Sequence, residues 1–370
     1  MQLTVVKECR KGEHRVAASP DSVKKLLQMG FNVTIETGAG TAANIPDKLF
    51  KEAGADIAKS GKAALENADV YLTLNPPSKE QLKALKKGAV LIGMLEARSP
   101  KNDLATYAKL GINALSLDLM PRITRAQSMD VLSSQSNLAG YRSVIEAAGV
   151  YGGSFAMMMT AAGTVAPAKI LILGAGVAGL QAIATAKRLG AIVSAFDVRP
   201  TVKEQVESLG ATFMEVEGAT ESETSGGYAK ETSKDYQKRQ AARIHEVLKT
   251  QDIAITTALI PGKPAPILIT DAMIKDMKPG AVIVDMAASM GGNVALSKAD
   301  ETVEVHNITI IAPTDLASHI ASDASSLYAR NLLNFVKILV DEPSGAVNLE
   351  KDDEITQSTL AVYQGKITLK

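Results

Sequence analysis

Between Lys169 and Gly179 the chain reads Lys-Ile-Leu-Ile-Leu-Gly-Ala-Gly-Val-Ala-Gly, and this run constrains the fold more than any other. Ile170 to Leu173 is a short apolar run of the kind a buried strand shows. It passes directly into Gly174-x-Gly176-x-x-Gly179 and then into Leu180 to Leu189, a stretch of good helix formers. Strand, glycine turn and helix in that order are the context a dinucleotide fingerprint requires. Gly174 permits the tight turn, Gly176 lets backbone N–H groups approach a pyrophosphate at the helix N-terminus, and Gly179 lets helix and strand pack closely. A second strand, Ala191 to Phe196, ends at Asp197, about 20 residues beyond the glycines. An acid there accepts hydrogen bonds from the adenosine ribose and repels a 2′-phosphate, which favours NAD over NADP.

The first 120 or so residues alternate between strand-like and helix-like segments, the pattern of an α/β domain with a parallel sheet. Strands are expected at Leu3–Val6, Phe31–Glu36, Ala68–Leu74, Ala89–Gly93 and Ile112–Ser116. Helices are expected over Asp21–Met29, with Ser19 and Pro20 at its start, and over Pro46–Ala53, Ser78–Lys87 and Lys101–Leu110. This domain has no glycine-rich phosphate loop of its own. From about Ser134 a long, mostly apolar helix leads into the nucleotide-binding domain, which adds strands at Ile253–Thr257, Ala281–Asp285 and Ile308–Ile311. A long helix, Ala324 to Val340, then returns the chain to the first domain. The expectation is two Rossmann-like doubly wound domains, one built from residues 1–133 and 320–370, the other, residues 134–319, inserted into it. Residues 147–168 carry no charge but contain four glycines and Pro167. They are expected to form a buried helix and loop rather than a membrane span. The polar segment 218–233, centred on Gly226-Gly227, is expected to be a lid or contact loop with Tyr228 as its contact.

Composition excludes several classes of function. Lysine plus arginine and aspartate plus glutamate both total 40, so there is no electrostatic case for nucleic acid or an anionic membrane. Near-zero net charge is compatible with self-association. Aromatic residues are 4% of the chain and Trp is absent, which argues against a base-stacking surface. The single cysteine, Cys9, rules out an internal disulfide and suits the cytosol. The four histidines show no metal-ligand spacing, so no metal is expected.

Two further stretches carry a resemblance. One is Pro121-Arg-Ile-Thr-Arg-Ala-Gln-Ser-Met-Asp-Val-Leu-Ser133, which continues to Gly140. The other is Ile310 to Tyr328, with Ala312-Pro-Thr-Asp-Leu-Ala-Ser-His. With the glycine fingerprint, they make the chain resemble, over essentially its whole length, the NAD(H)-binding components (domain I, or alpha-1 subunits) of the proton-translocating NAD(P) transhydrogenases. The opening Lys7-Glu8 and Glu13-His-Arg-Val-Ala17 belong to a wider group that includes alanine dehydrogenase.

The resemblance implies that Gln127, with Arg122, Asp130 and Ser133, holds the nicotinamide end. A carboxamide offers one acceptor and two donors, which Gln, Asp and Ser can satisfy. It implies that Gly174, Gly176, Val177, Ala178 and Gly179 hold the pyrophosphate and that Asp197, Val198 and Arg199 surround the adenosine. Gly227, Tyr228 and the turn Ala258-Leu259 would close over the cofactor, although the mobile loop departs from the family pattern at Thr232. Alanine dehydrogenase holds its amino acid with an Arg, a Lys and a His and uses an Asp. Arg15 matches the first, but Asn75, Glu96 and Ser289 stand at the other three positions. The groups for binding a carboxylate and moving a proton are therefore largely gone. Direct hydride transfer between two nicotinamide rings needs neither, only positioning and exclusion of water.

The implied function is NAD(H) binding here and NADP(H) on a partner subunit, with proton translocation in a separate membrane component. The implied state is a homodimer on the inner, cytoplasmic face of the cell membrane, attached peripherally through partners. An alanine-dehydrogenase-like oxidoreductase is the competing expectation.

Overall fold

The computed structural model describes residues 1–100, 102–216, 233–260, 263–341 and 345–369. The chain divides into two compact units, residues 1–135 with 317–370 and residues 136–316. In chain order the strands are β1 (Gln2–Val5), β2 (Asn32–Glu36), β3 (Asp56–Ala58), β4 (Val70–Leu72), β5 (Val90–Gly93), β6 (Asn113–Ser116), β7 (Met158–Thr160) and β8 (Gly163–Val165). They continue with β9 (Lys169–Leu173), β10 (Ile192–Phe196), β11 (Thr212–Phe213), β12 (Ile253–Thr256), β13 (Val282–Asp285), β14 (Thr302–Val305), β15 (Ile308–Ile311), β16 (Leu360–Tyr363) and β17 (Lys366–Ile367).

In the first unit the sheet order is β17-β16-β6-β5-β4-β1-β2-β3. Strands β1 to β6 are mutually parallel, while β16 and β17 close one edge antiparallel. Strands β4 and β5 are buried at every position, so they read as unbroken apolar runs rather than as alternation. One face of the sheet packs Leu3, Val5, Val70, Leu72 and Ile92 against Tyr328, Leu332, Phe335 and Val336 of the helix Ala321–Leu339. The other face packs Tyr71 and Leu91 with Leu82 and Tyr107. The helix Pro20–Gln28 starts as expected. Ser19 accepts from the Ser22 amide, the Ser22 hydroxyl accepts from the Ser19 amide, and Pro20 is the first residue.

In the second unit the order is β11-β10-β9-β12-β13-β15-β14, parallel except for the β14 edge. Ile170 and Ile172 of β9 face one core and Leu171 and Leu173 the other. The helix Val177–Arg188 follows β9 at once. Because β10 and β12 flank β9 on opposite sides, the strand order reverses at β9/β12, where open α/β sheets bind ligands. The helix Val131–Val150 begins in the first unit and ends in the second.

Residues 147–168 correct the expectation of a buried helix and loop. The helix stops at Val150, and β7 and β8 form a separate antiparallel hairpin whose residues are all exposed, Met159 at 80%. Freedom from charge here reflects a hairpin of uncharged and apolar residues, not burial. Its turn is held by Thr160, whose hydroxyl accepts from the Ala162 amide and donates to the Gly163 carbonyl. The wholly parallel first sheet is likewise corrected at its edge by β16 and β17.

Candidate functional site

The glycine loop after β9 is shaped by close approach. Gly174 has φ +104, and a Cβ there would lie 2.5 Å from Oγ1 of Thr257. At Gly179 a Cβ would lie 1.8 Å from the Gly174 carbonyl oxygen, so no larger residue fits. A Cβ at Gly176 would meet open space instead, and that residue opens the helix Val177–Arg188 without a side-chain cap. The first turn of the helix therefore presents backbone N–H groups and the positive end of its dipole to whatever lies above the loop. The cradle fits the pyrophosphate of a dinucleotide.

Asp197, which ends β10, is committed to this loop. Its Oδ2 accepts from the Ala175 amide at 2.8 Å. Its carboxylate also takes Nε and the backbone N–H of Arg199, both at 2.9 Å, and pairs with Nη2 at 2.8 Å. Val198 packs against the core on that face of the sheet. On the opposite side of the loop, the Thr257 hydroxyl donates to the Gly174 carbonyl at 3.1 Å. Val177 and Leu259 leave apolar side chains exposed, at 42% and 44%. Gly227 and Tyr228 lie outside the described residues.

Arg122, Gln127, Asp130 and Ser133 belong to the first unit. Gln127 sits in a 3-10 helix, Thr124–Met129, whose Ala126 and Met129 are buried in the core. The Ser128 carbonyl accepts from the side chains of Asn331 at 2.8 Å and Asn334 at 3.2 Å. The turn is thus pinned from below while Arg122 and Gln127 stay exposed. Asp130 and Ser133 are brought together. The carboxylate accepts from the Ser133 amide at 2.9 Å and from its hydroxyl at 2.5 Å, which caps the helix Val131–Val150.

Comparison with known proteins gives two matches that together span nearly all of the chain. The N-terminal domain of the alanine dehydrogenase/PNT family matches residues 4–139, and the C-terminal domain of the same family matches residues 143–370. The chain belongs to the alanine dehydrogenase/PNT family. It is 49% identical to the first of the polypeptides that make up NAD(P) transhydrogenase subunit alpha in Rhodospirillum rubrum, covering 99% of this chain and 97% of that one. It is 43% identical to NAD(P) transhydrogenase subunit alpha of Haemophilus influenzae, covering 99% of this chain and 71% of the relative. The crystal structure of transhydrogenase from Sinorhizobium meliloti superposes with a TM-score of 0.87 at 43% identity, covering 100% and 99% of the two chains. Alanine dehydrogenases are more distant, with 27% identity to that of Mycolicibacterium smegmatis over 99% of this chain and 94% of the relative. The chain groups with the transhydrogenase alpha subunits.

Within this family the first unit shows how Arg15 is used here. Arg15 is buried and pairs with Glu13 through Nη2 at 2.6 Å and Nε at 2.7 Å. Its Nη1 donates to Gln135 at 2.8 Å. Asn75 links the neighbours, donating to Glu13 at 2.9 Å and to Glu8 at 3.2 Å and accepting from Arg10 at 3.1 Å. Arg10 pairs in turn with Glu96, which has φ 52. Beside this network is a cavity of about 180 Å³ lined in part by Glu8, Glu13, Arg15 and Thr41. Burial pushes the Glu8 carboxyl up. Burial also works on Glu13, but the Arg15 guanidinium outweighs it and holds that carboxyl below its ordinary value. The cavity therefore offers an acid-lined wall rather than a waiting cation.

Sequence reasoning missed Thr257 and everything that holds the turn after it. Thr256-Thr257-Ala258-Leu259 carries no fingerprint, because its role depends on which strand lies beside β9. Among the described residues, no group of His, Cys, Asp or Glu could hold a metal ion, and no helix is long and apolar enough to cross a membrane.

Proposed function

We propose that this chain is the NAD(H)-binding component of a proton-translocating NAD(P) transhydrogenase. Bound nicotinamide supplies the hydride carrier, and hydride passes directly between NAD(H) held here and NADP(H) held by a partner subunit. The observation that carries the reading is the glycine cradle at the β9/β12 switch point, with Asp197 tied to it from β10. Gly174, Gly176, Val177, Ala178 and Gly179 receive the pyrophosphate. Asp197, Val198 and Arg199 surround the adenosine, and the acid disfavours a 2′-phosphate. Arg122, Gln127, Asp130 and Ser133 orient the nicotinamide end, and Gly227, Tyr228, Ala258 and Leu259 cover the cofactor.

The residues supply position and dryness rather than acid–base catalysis. Asn75, Glu96 and Ser289 stand where an amino-acid dehydrogenase of this family has its Lys, His and Asp, and Arg15 is already paired with Glu13. This supports transhydrogenation over oxidation of alanine. Proton translocation falls to a separate membrane component, which would hold this chain peripherally on the inner face of the cell membrane. A homodimer completes the reading, and the exposed methionines of the β7–β8 hairpin give such an assembly an apolar surface.

The test mixes the purified chain with an NADP(H)-binding transhydrogenase subunit and follows reduction of an NAD analogue by NADPH. Turnover is expected only in the mixture. Oxidation of alanine with NAD by this chain alone would overturn the assignment.

A further inference from the structure

Asp285, the last residue of β13, is a fully buried carboxylate with no lysine, arginine or histidine paired to it among the described residues. Such a group is costly unless its lone pairs are filled. Here they are filled by one loop and a neighbouring strand. Oδ1 accepts from the Thr256 hydroxyl at 3.1 Å and the Ala287 amide at 3.0 Å. Oδ2 accepts from the amides of Asn293 at 3.0 Å and Val294 at 3.1 Å and from the Ser297 hydroxyl at 2.7 Å. The loop wraps so closely that a Cβ on Gly292, which has φ +82, would lie 2.7 Å from Oδ2.

The carboxylate thereby fixes Asn293, which is also buried. The Asn293 side chain reaches across to the turn after β12. Its Nδ2 donates to the Ala258 carbonyl at 2.9 Å and the Pro266 carbonyl at 2.7 Å, and its Oδ1 accepts from the Ala258 amide at 3.0 Å. Both backbone polar groups of Ala258 are therefore held by one side chain, and both of its amide hydrogens are used. The same turn abuts the glycine loop through Thr257, whose Oγ1 bonds the Gly174 carbonyl.

We propose that Asn293, anchored by Asp285, is a positioning residue of the nucleotide site. It locks the Thr257–Leu259 turn against the glycine loop and so fixes the wall that Leu259 presents. Neither residue reaches the surface, so both act through the turn and not by touching a ligand. The inference rests on the reading of the glycine loop as a dinucleotide site.

The test measures NADH dissociation constants by fluorescence for the intact chain and for Asn293→Ala, Leu259→Ala and the double variant. Loss of anchoring hydrogen bonds in Asn293→Ala is expected to weaken NADH about tenfold. The double variant is expected to bind about as weakly as Asn293→Ala alone, because a loosened turn no longer presents Leu259. Amide exchange should quicken at Thr257 and Ala258 while β9 and β10 keep their protection. An NADH affinity within about twofold of the parent (under half a kcal/mol) overturns the proposal, and so do additive effects of the two substitutions. Should Asn293→Ala fail to fold, Ser297→Ala removes one donor to Asp285 and leaves the turn itself intact. A few-fold loss of NADH affinity then supports the proposal, and none overturns it. Failure of the unsubstituted chain to bind NADH is a different result, which overturns the dinucleotide reading itself.

Discussion

One methyl group is enough to test the nucleotide cradle. A Cβ at Gly179 would sit 1.8 Å from the Gly174 carbonyl, and both groups are backbone, which cannot swing aside. Gly179→Ala is expected to cost about 1–3 kcal/mol of stability through overpacking and to abolish NADH binding, read by urea unfolding and NADH fluorescence. Of the three fingerprint glycines only Gly176 has open space at its Cβ, so its role is to leave room for a ligand. The buried pair of Glu13 and Arg15 gives a pH signature. Glu13 titrates below its ordinary value, so the pair contributes stability at neutral pH that is lost as pH falls through that depressed folded pKa. Glu13→Gln is expected to destabilise by about 3 kcal/mol at pH 7. Thermal melts should show the gap to the parent chain narrowing as the medium is acidified past the carboxylate range.

At the scale of elements, the helix Val131–Val150 starts from a residue with two readings. Asp130 caps it through Ser133, and the resemblance also assigns Asp130 to the nicotinamide end. Asp130→Ala is expected to lose about 1 kcal/mol of stability and Asp130→Ser almost none, since Ser caps as well. If Asp130 also holds the ring, both variants slow hydride transfer in the reconstituted assay; if it only caps, Asp130→Ser transfers at the parent rate. The central strands are legible in the sequence because both faces of each are covered. β9, β12 and β13 show as unbroken apolar runs that no amphipathic helix would produce. The elements that escape a sequence reading are short or half-exposed. β3 is Asp-Ile-Ala, β11 has two residues, and β14 lies at an edge. The hairpin of β7 and β8 escapes it because an uncharged surface hairpin and a buried segment have the same composition. Asp285 and Asn293 are illegible for another reason, since a buried polar bridge between two loops leaves no periodic trace.

For the whole molecule, ligand linkage gives the most direct check on which nucleotide belongs here. A ligand bound only by the folded chain at a hundred times its dissociation constant adds about 2.7 kcal/mol. NADH is therefore expected to raise the melting temperature by several degrees, whereas NADPH at equal concentration and alanine with pyruvate should leave it unchanged. An equal rise with NADPH would remove Asp197 as the discriminating residue.

The two-segment construction of the first unit also governs when that unit can exist. Tyr328, Leu332, Phe335 and Val336 fill the centre of its core, and the Tyr328 hydroxyl bonds the Thr73 carbonyl at 2.8 Å. These residues leave the ribosome only after the entire second unit has been made. On a growing chain, β1 to β6 must therefore wait with an unfilled face while the second unit, whose residues are continuous, is free to fold. The glycine cradle is ready for a nucleotide before the unit that carries Gln127 has closed. In a nascent chain, nucleotide binding and ring positioning are thus acquired at separate times, in the reverse of their order along the sequence.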